Sequence, residues 1–337
     1  MNIIEETLIN NLEKFNLIGK KLIIGFSGGG DSTSLIIALN ELRKKNSKLN
    51  FEAFHVNYGI RKESNKDQKF VENICKKMSI NLTMKNLKDQ KLMIDSDSED
   101  NLRNIRYNLI SSHIIDTKSY CLITAHNLND HVETFLMKLT RGAGLKGMEG
   151  LKYFSTIDKF NSLKIFRPFI EIKKKDLLDY CISKNINPIN DTSNDDNKYS
   201  RNRIRNNVIP ELEKLNPDFL NTINRVTYVA KEINSYQNKL IKDKYQKIKL
   251  IENQYEISFD RLKFNLLEDV EKKLIIKTKC ESFSSQIFME KKHLDIVIDK
   301  CLSKNNKFTL DMPGPIVLMA NKDKVIIKNL VTEWHFI

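Results

Sequence analysis

The hexad Ser27-Gly-Gly-Gly-Asp-Ser32 limits more than any other feature what this chain can fold into. It follows a short apolar run, Lys21 to Phe26, and precedes a stretch from Thr33 to Lys44 in which Leu35, Leu39 and Leu42 recur at helical spacing. A strand that passes through a glycine turn straight into a helix opens a βαβ unit. Consecutive backbone N–H groups and the start of the helix then lie together at the carboxyl end of the strand, where they suit phosphate oxygens. The loop lacks the lysine of a Walker A sequence and does not match the G-x-G-x-x-G dinucleotide fingerprint. A tight turn capped by the Asp31 or Ser32 side chain is the plain alternative.

The pattern continues in the same sense. Phe51–Val56, Ile80–Met84 and Tyr120–Thr124 read as strands, and Ser64–Met78, Ser98–Ile115 and Asn129–Thr140 as helices between and after them. Met1 to Lys21 reads as an amphipathic helix. Alternation of this kind predicts an α/β fold, a parallel sheet with helices on both faces and ligands beyond the carboxyl ends of its strands. From Ile165 the chain becomes polar, with a patch rich in Asp, Asn, Ser and Arg from Asn190 to Asn207. After Asn216-Pro217 the character changes to a long helix (Phe219 to about Lys247), a strand at Tyr255–Phe259, helices near Leu266–Cys280 and Lys291–Cys301, and three short strands ending near Lys328. The expected organisation is a catalytic domain at 1–217 and a smaller α+β domain at 218–337. A chain of 337 residues is long enough for both to bury cores of their own.

Composition narrows the function classes. No apolar run approaches the ~18 residues of a membrane span, and the N-terminus lacks the basic and apolar regions of a secretion signal, so a cytoplasmic location without membrane contact is expected. A net charge of +13 favours acidic partners such as nucleic acid. The five cysteines (Cys75, Cys121, Cys181, Cys280, Cys301) include no C-x-x-C pair, which speaks against a disulfide framework and a thiolate metal site.

S-G-G-x-D-S after the first strand resembles the PP-loop of the N-type ATP pyrophosphatases, a family of α/β proteins of the adenine nucleotide α-hydrolase type that split ATP to AMP and pyrophosphate. The resemblance implies ATP and Mg²⁺ as cofactors. Ser27, Gly28, Gly29, Gly30, Asp31 and Ser32 would cradle the nucleotide, and Asp31 would help to position the metal. Further segments match, in order, the pattern of the tRNA(Ile)-lysidine synthetases. His55-Val-Asn-Tyr-Gly-Ile-Arg61 with Ser64 resembles one block, with Tyr58 where a histidine is usual. Glu99, Arg103, Arg106 and Tyr107 resemble a second, with Leu102 for alanine. Ala125-His126, Asp130 and Glu133-Thr134 resemble a third, with Asn127 and His131 as departures. Arg141-Gly142-x-Gly144, Arg167-Pro168 and the run from Asp191 through Tyr199, Arg201 and Arg205 complete it. Leu310 to Ile327 resembles the end of the family's first C-terminal domain, so the further domain of longer members is expected to be absent.

That family joins free L-lysine to carbon 2 of the first anticodon cytidine of isoleucine tRNA with anticodon CAU, through an adenylated intermediate. The implied partners are this tRNA and lysine, and the second domain would help to hold the tRNA. Whether the chain is a monomer or a homodimer stays open. Asp130 and Glu133, at i and i+3, share one helix face, where the bland role is to complement the helix dipole and the functional one is to bind lysine's ammonium or, for Asp130 with Asp31, Mg²⁺. Asp31, Asp130, Glu133 and His126 are therefore the expected catalytic groups. His55 ends an apolar strand beside the nucleotide loop and is either a core histidine or a nucleotide contact. Arg61, Arg103, Arg106, Arg141, Tyr199, Arg201 and Arg205 are the expected substrate and tRNA contacts, with arginines on phosphates and the tyrosine stacking on a base. A PP-loop tRNA thiolase and a non-catalytic nucleotide- or RNA-binding protein are the alternatives. The unpaired cysteines disfavour the first and the complete hexad the second.

Overall fold

The computed structural model describes residues 2–60, 64–87, 99–189, 200–284, 287, 289–303 and 307–330. The chain divides into two compact units, Met1–Lys231 and Glu232–Ile337. In the first, α1 (Ile3–Lys14) precedes β1 (Lys21–Gly25), α2 (Gly30–Lys45), β2 (Asn50–Asn57), α3 (Ser64–Lys77), β3 (Leu82–Asn86), α4 (Glu99–Asp116), β4 (Cys121–Ile123) and α5 (Leu128–Thr140). A hairpin of β5 (Phe154–Ile157) and β6 (Leu163–Phe166) follows, then α6 (Lys174–Ser183), α7 (Ser200–Arg203), a π-helical turn (Ile204–Val208), α8 (Ile209–Leu215) and α9 (Phe219–Ile248). Pro217 separates α8 from α9, and the division between the units falls inside α9.

The sheet runs β3-β2-β1-β4-β6-β5. Strand β1 is central, parallel to β2 and β4, and its Leu22, Ile23 and Ile24 are all fully buried. Alternation of side chains along each strand explains why both faces need apolar residues. Leu22, Ile24, Phe51, Ala53, Cys121 and Ile123 enter one core together with α1 and α2, while Ile23, Phe54, Val56 and Leu122 enter the other beneath α4. The sheet is mixed rather than purely parallel: β5 pairs antiparallel with β6 at the edge. A four-residue strand, joined by a short turn in which Asn161 and Ser162 take φ of 51° and 52°, leaves too little pattern to read from sequence. The N-terminal helix is also shorter than its apolar spacing predicts, because Asn16 (φ 54°) and Gly19 (φ 81°) turn the chain before β1.

The second unit carries an antiparallel sheet in the order β7 (Lys249–Glu252), β8 (Glu256–Asp260), β11 (Lys324–Asn329), β10 (Ile316–Ala320), β9 (Phe308–Met312), with α10 (Arg261–Asn265), α11 (Asp269–Glu281) and α12 (Lys291–Leu302). Ile316, Leu318 and Ala320 alternate into its core, which Phe259, Phe264, Ile275, Val297 and Ile327 fill. This is a smaller α+β unit of the kind expected, and it begins at Glu232. Among the described residues no helix is long and apolar enough to cross a membrane.

Candidate functional site

The glycine loop joins β1 to α2, and each of two glycines answers a specific demand. Gly28 has φ +90°, and a Cβ there would lie 2.5 Å from Ile189 Cδ1. At Gly30 a Cβ would lie 2.2 Å from Leu178 Cδ2. The backbone is held close because the Ile189 N–H donates to the Gly28 carbonyl at 3.0 Å. Inside the loop the Ser27 and Ser32 hydroxyls are 3.0 Å apart, and the Ser32 hydroxyl donates to the Gly29 carbonyl at 3.1 Å. The N-cap of α2 is Gly29, which has no side chain to cap the helix. The Ser32 hydroxyl closes the turn, accepting the Ser27 N–H at 3.2 Å while it donates to Gly29, and the first N–H groups of α2, which have no side-chain cap among the described residues, suit an anion. His55, buried on β2, braces the loop from below: its Nδ1 is 2.8 Å from the Phe26 carbonyl. Burial holds its pKa below the ordinary value despite that carbonyl, so the ring is neutral and Nδ1–H is the donor.

The acids gather at the end of β4. Asn127 caps α5, accepting the Asp130 N–H at 3.1 Å while Asp130 Oδ2 accepts the Asn127 N–H at 3.0 Å. Asp130 and Glu133 then point to one side. Glu133, fully buried, accepts from Arg201 Nε at 2.7 Å and from Arg205 Nε at 2.6 Å, and Asp130 Oδ1 accepts from Arg201 Nη2 at 2.8 Å. Burial pushes the Asp130 carboxyl up, but the two arginines and the Asn127 N–H outweigh it and hold the pKa below the usual range. Asp31 shows the opposite balance. Burial and then the Asp130 charge push its pKa up to about 6, against Lys174, Asn127 and Arg205. Its Oδ1 is buried and has no hydrogen-bond partner among the described residues.

His126 follows β4, with Nδ1 2.7 Å from the Thr124 hydroxyl. Burial holds its pKa far below the ordinary value; Asp130 opposes this, and Arg167, Arg201 and Arg103 reinforce it. The orphaned oxygen of Asp31 beside Asp130 fits a divalent cation. Mg²⁺ is commonly held by one or two carboxylates together with phosphate oxygens, and Asp31 and Asp130 would supply the carboxylates.

The sequence-predicted residues thus divide. The loop, Asp31, His126, Asp130, Glu133, Arg201 and Arg205 come together, and His55 supports the loop. Arg103 and Arg106 lie over the Tyr107 ring, at 5.2 and 5.8 Å from its centroid. Arg141 is exposed at the end of α5. Arg61 and Tyr199 lie outside the described residues. Sequence reasoning missed Lys174, whose charge bears on Asp31, and gave Arg167 no role although it stands in the Arg167-Pro168 segment. It also left His131 as a bare departure. This fully buried ring accepts the Leu151 N–H on Nδ1 at 3.0 Å, so Nε2 donates to the Thr227 hydroxyl 2.9 Å away. All five cysteines are buried and free. Burial pushes four of the thiols up to about 12 and Cys301 up to about 11.

Comparison with known proteins identifies the family of the chain. The family model of the PP-loop domain matches residues 3–212. A tRNA(Ile)-lysidine synthase of Clostridioides difficile is 30% identical over 332 residues, 96% of this chain and 70% of the relative. One from Buchnera aphidicola subsp. Schizaphis graminum is 30% identical over 344 residues, 98% of this chain and 72% of the relative. Among solved structures, the U34-tRNA thiolase NcsA from Methanococcus maripaludis with its [4Fe-4S] cluster superimposes with a TM-score of 0.55 at 20% identity, covering 68% of this chain and 80% of that one. That likeness concerns the fold alone.

Proposed function

The chain belongs to the tRNA(Ile)-lysidine synthases of the PP-loop domain family, and from that premise we propose that it joins free L-lysine to carbon 2 of the first anticodon cytidine of isoleucine tRNA bearing CAU, at the expense of ATP. The observation that carries the proposal is the adjacency of two unlike sites. A loop that opens into a helix start without a side-chain cap, suited to phosphates, lies within electrostatic reach of a buried acidic pair suited to an ammonium group, because the Asp130 charge bears on Asp31.

The cytosine carbonyl oxygen is a poor leaving group, and transfer of AMP to it creates a good one. The loop from Ser27 to Ser32 holds the pyrophosphate portion of ATP still while the cytidine oxygen attacks the α-phosphorus and pyrophosphate leaves. Asp31 and Asp130 would hold Mg²⁺, which when bound neutralises phosphate charge. The ε-amine of lysine then attacks carbon 2 and AMP departs. Asp130 and Glu133 bind lysine by exchange, the ammonium taking over hydrogen bonds now given by Arg201 and Arg205. Held neutral far below its ordinary pKa, His126 is a weak base and serves to orient the amine by a hydrogen bond, while the proton that the amine loses passes to the departing AMP or to water. The exposed Arg203 of α7 and the exposed Arg141 are placed to meet tRNA phosphates. Buried thiols far above the range of a reactive cysteine favour amine over sulfur transfer.

The test is direct. The protein is incubated with ATP, lysine and isoleucine tRNA bearing CAU, and the nucleosides are identified by mass. Lysidine with AMP and pyrophosphate is expected; unchanged cytidine, or a product that contains sulfur, refutes the proposal.

A further inference from the structure

Helix α5 presents its acids on one side and holds a loop with another. The helix ends at Thr140, and the chain returns along it, so that residues 150 and 151 lie against His131, the neighbour of Asp130. His131 is fully buried, and both ring nitrogens are engaged within the protein. Nδ1 accepts the Leu151 N–H at 3.0 Å and Nε2 donates to the Thr227 hydroxyl of α9 at 2.9 Å, while that hydroxyl donates to the Asn224 carbonyl at 2.8 Å. Gly150, with φ +64°, rests on the ring: a Cβ there would lie 2.4 Å from His131 Cε1. Two turns further along α5, Lys138 donates from Nζ to the Gly150 carbonyl at 3.1 Å, and its own carbonyl accepts the Ala143 N–H at 3.0 Å. The loop is thus tied to α5 at both ends. Its acid, Glu149, is buried and paired with Lys152 at 2.9 Å. Arg141 and Lys146 are exposed, and among the described residues neither is paired with an acid. At exposed Gly144 a Cβ would meet nothing within 4 Å, so packing does not require glycine there.

We propose that residues 141–150 form an arm that holds the tRNA backbone next to the reacting cytidine, and that His131 is the positioning residue that sets this arm against α5. The proposal rests on the functional reading above and deepens it, naming the surface that meets the phosphates and the side chain that aims it. The arm starts at the far end of the helix that carries Asp130, about 16 Å along its axis, and returns to end beside that acid. Its exposed positions, 141, 142, 144 and 146, are two cations and two glycines. Bare backbone lets a phosphate approach the N–H groups while Arg141 and Lys146 supply charge. A protein partner would bury apolar side chains, and these positions offer none. His131 itself touches no substrate. What it fixes is the return of the arm.

Binding of isoleucine tRNA bearing CAU to the full chain is measured by filter retention between about 50 and 200 mM salt, and lysidine formation by steady-state kinetics. Arg141→Gln combined with Lys146→Gln changes exposed side chains alone. This double variant should bind the tRNA about 10-fold more weakly and lower the salt slope by about 1 to 2, with the KM for ATP unchanged. His131→Ala removes the anchor. It should raise the Kd and KM for tRNA about 5-fold, while the KM for ATP and the rate at saturating tRNA stay within about 2-fold. His131→Gln, whose amide both accepts and donates, should restore tRNA affinity. Added to the double variant, His131→Ala should weaken binding no further, because it acts through the arm; a merely structural histidine would add its full effect in both backgrounds. Should His131→Ala fail to fold, Thr227→Val, which removes the acceptor of the ring, takes its place in the same comparison. Unchanged affinity and salt slope in the double variant overturn the arm. Full additivity, or no rescue by glutamine, overturns the role of His131. If wild type binds the tRNA with the stated salt dependence yet forms no lysidine, the arm stands and the functional reading falls.

Discussion

Asp31→Asn is expected to stabilise the protein while destroying its chemistry, and the size of the gain follows from the site. The Asp31 pKa rises from an ordinary 3.8 to about 6, because burial and the neighbouring Asp130 charge both penalise the ionised form. An acid whose folded pKa lies above its unfolded one contributes stability below the unfolded value and loses it as the pH rises through the folded one. The window is therefore pH 4 to 7. A shift of about two units at ~1.36 kcal/mol each gives a loss of about 2 to 3 kcal/mol across it. Asparagine keeps the shape and carries no charge, so the variant lacks this loss. Urea unfolding of both proteins at pH 4 and 7.5 should give nearly equal stabilities at the lower pH and a variant more stable by about 2 to 3 kcal/mol at the higher. Mg²⁺ with ATP should reverse the order, because ligand at about 1,000 times its Kd adds about 4.1 kcal/mol to wild type and nothing to a variant that cannot bind it. A variant less stable at pH 7.5, or a gap that does not change with pH, would refute the reasoning.

Glu133→Gln should cost about 3 to 5 kcal/mol, since it leaves two guanidiniums facing a neutral amide in a fully buried position. Urea unfolding that shows a cost below about 1 kcal/mol would mean that water already reaches the pair. Gly30→Ala should lower stability by about 1 to 3 kcal/mol and weaken ATP binding, because the new methyl would lie 2.2 Å from Leu178 Cδ2. Adding Leu178→Ala should restore most of the ATP affinity, which equilibrium dialysis measures. His131 is pulled from 6.5 down to about 4, chiefly by burial, so its contribution is present above pH 6.5 and lost as the pH falls toward 4, by about 3 kcal/mol. His131→Gln does not titrate, and its stability relative to wild type should rise by that amount between pH 7 and pH 4. The Asp31 and His131 contributions run in opposite directions over nearly the same window, so wild-type curves alone would show little, and only differences from the variants resolve them.

How much of this was legible in the sequence depends on the range of each interaction. The strand, loop and helix around Ser27–Ser32 are local, and so is the Asp130–Glu133 spacing; both emerge where the pattern puts them. The three C-terminal strands end near Lys328 as their alternation predicts, whereas β5 and β7, four residues each, are set by their neighbours in the sheet more than by their own side chains. The partners of the acids lie 68 to 75 residues further along the chain, beyond any periodicity. An acid-free run such as 197–210 reads as a surface for phosphates, yet only Arg203 of its arginines is exposed, while Arg201 and Arg205, one helical turn apart, turn inward together. Charge balance gives the physical reason. The Asp130 charge bears on Asp31, Asp130 and Glu133 share the same two arginines, and buried acids left to themselves would take up protons. Arg201 and Arg205 keep Asp130 ionised and ready for an ammonium, whereas Asp31, without such a partner, is left half-titrated near pH 6, ready for a divalent cation. The same arginines that sequence reasoning assigns to the tRNA therefore set which acid is suited to which ligand.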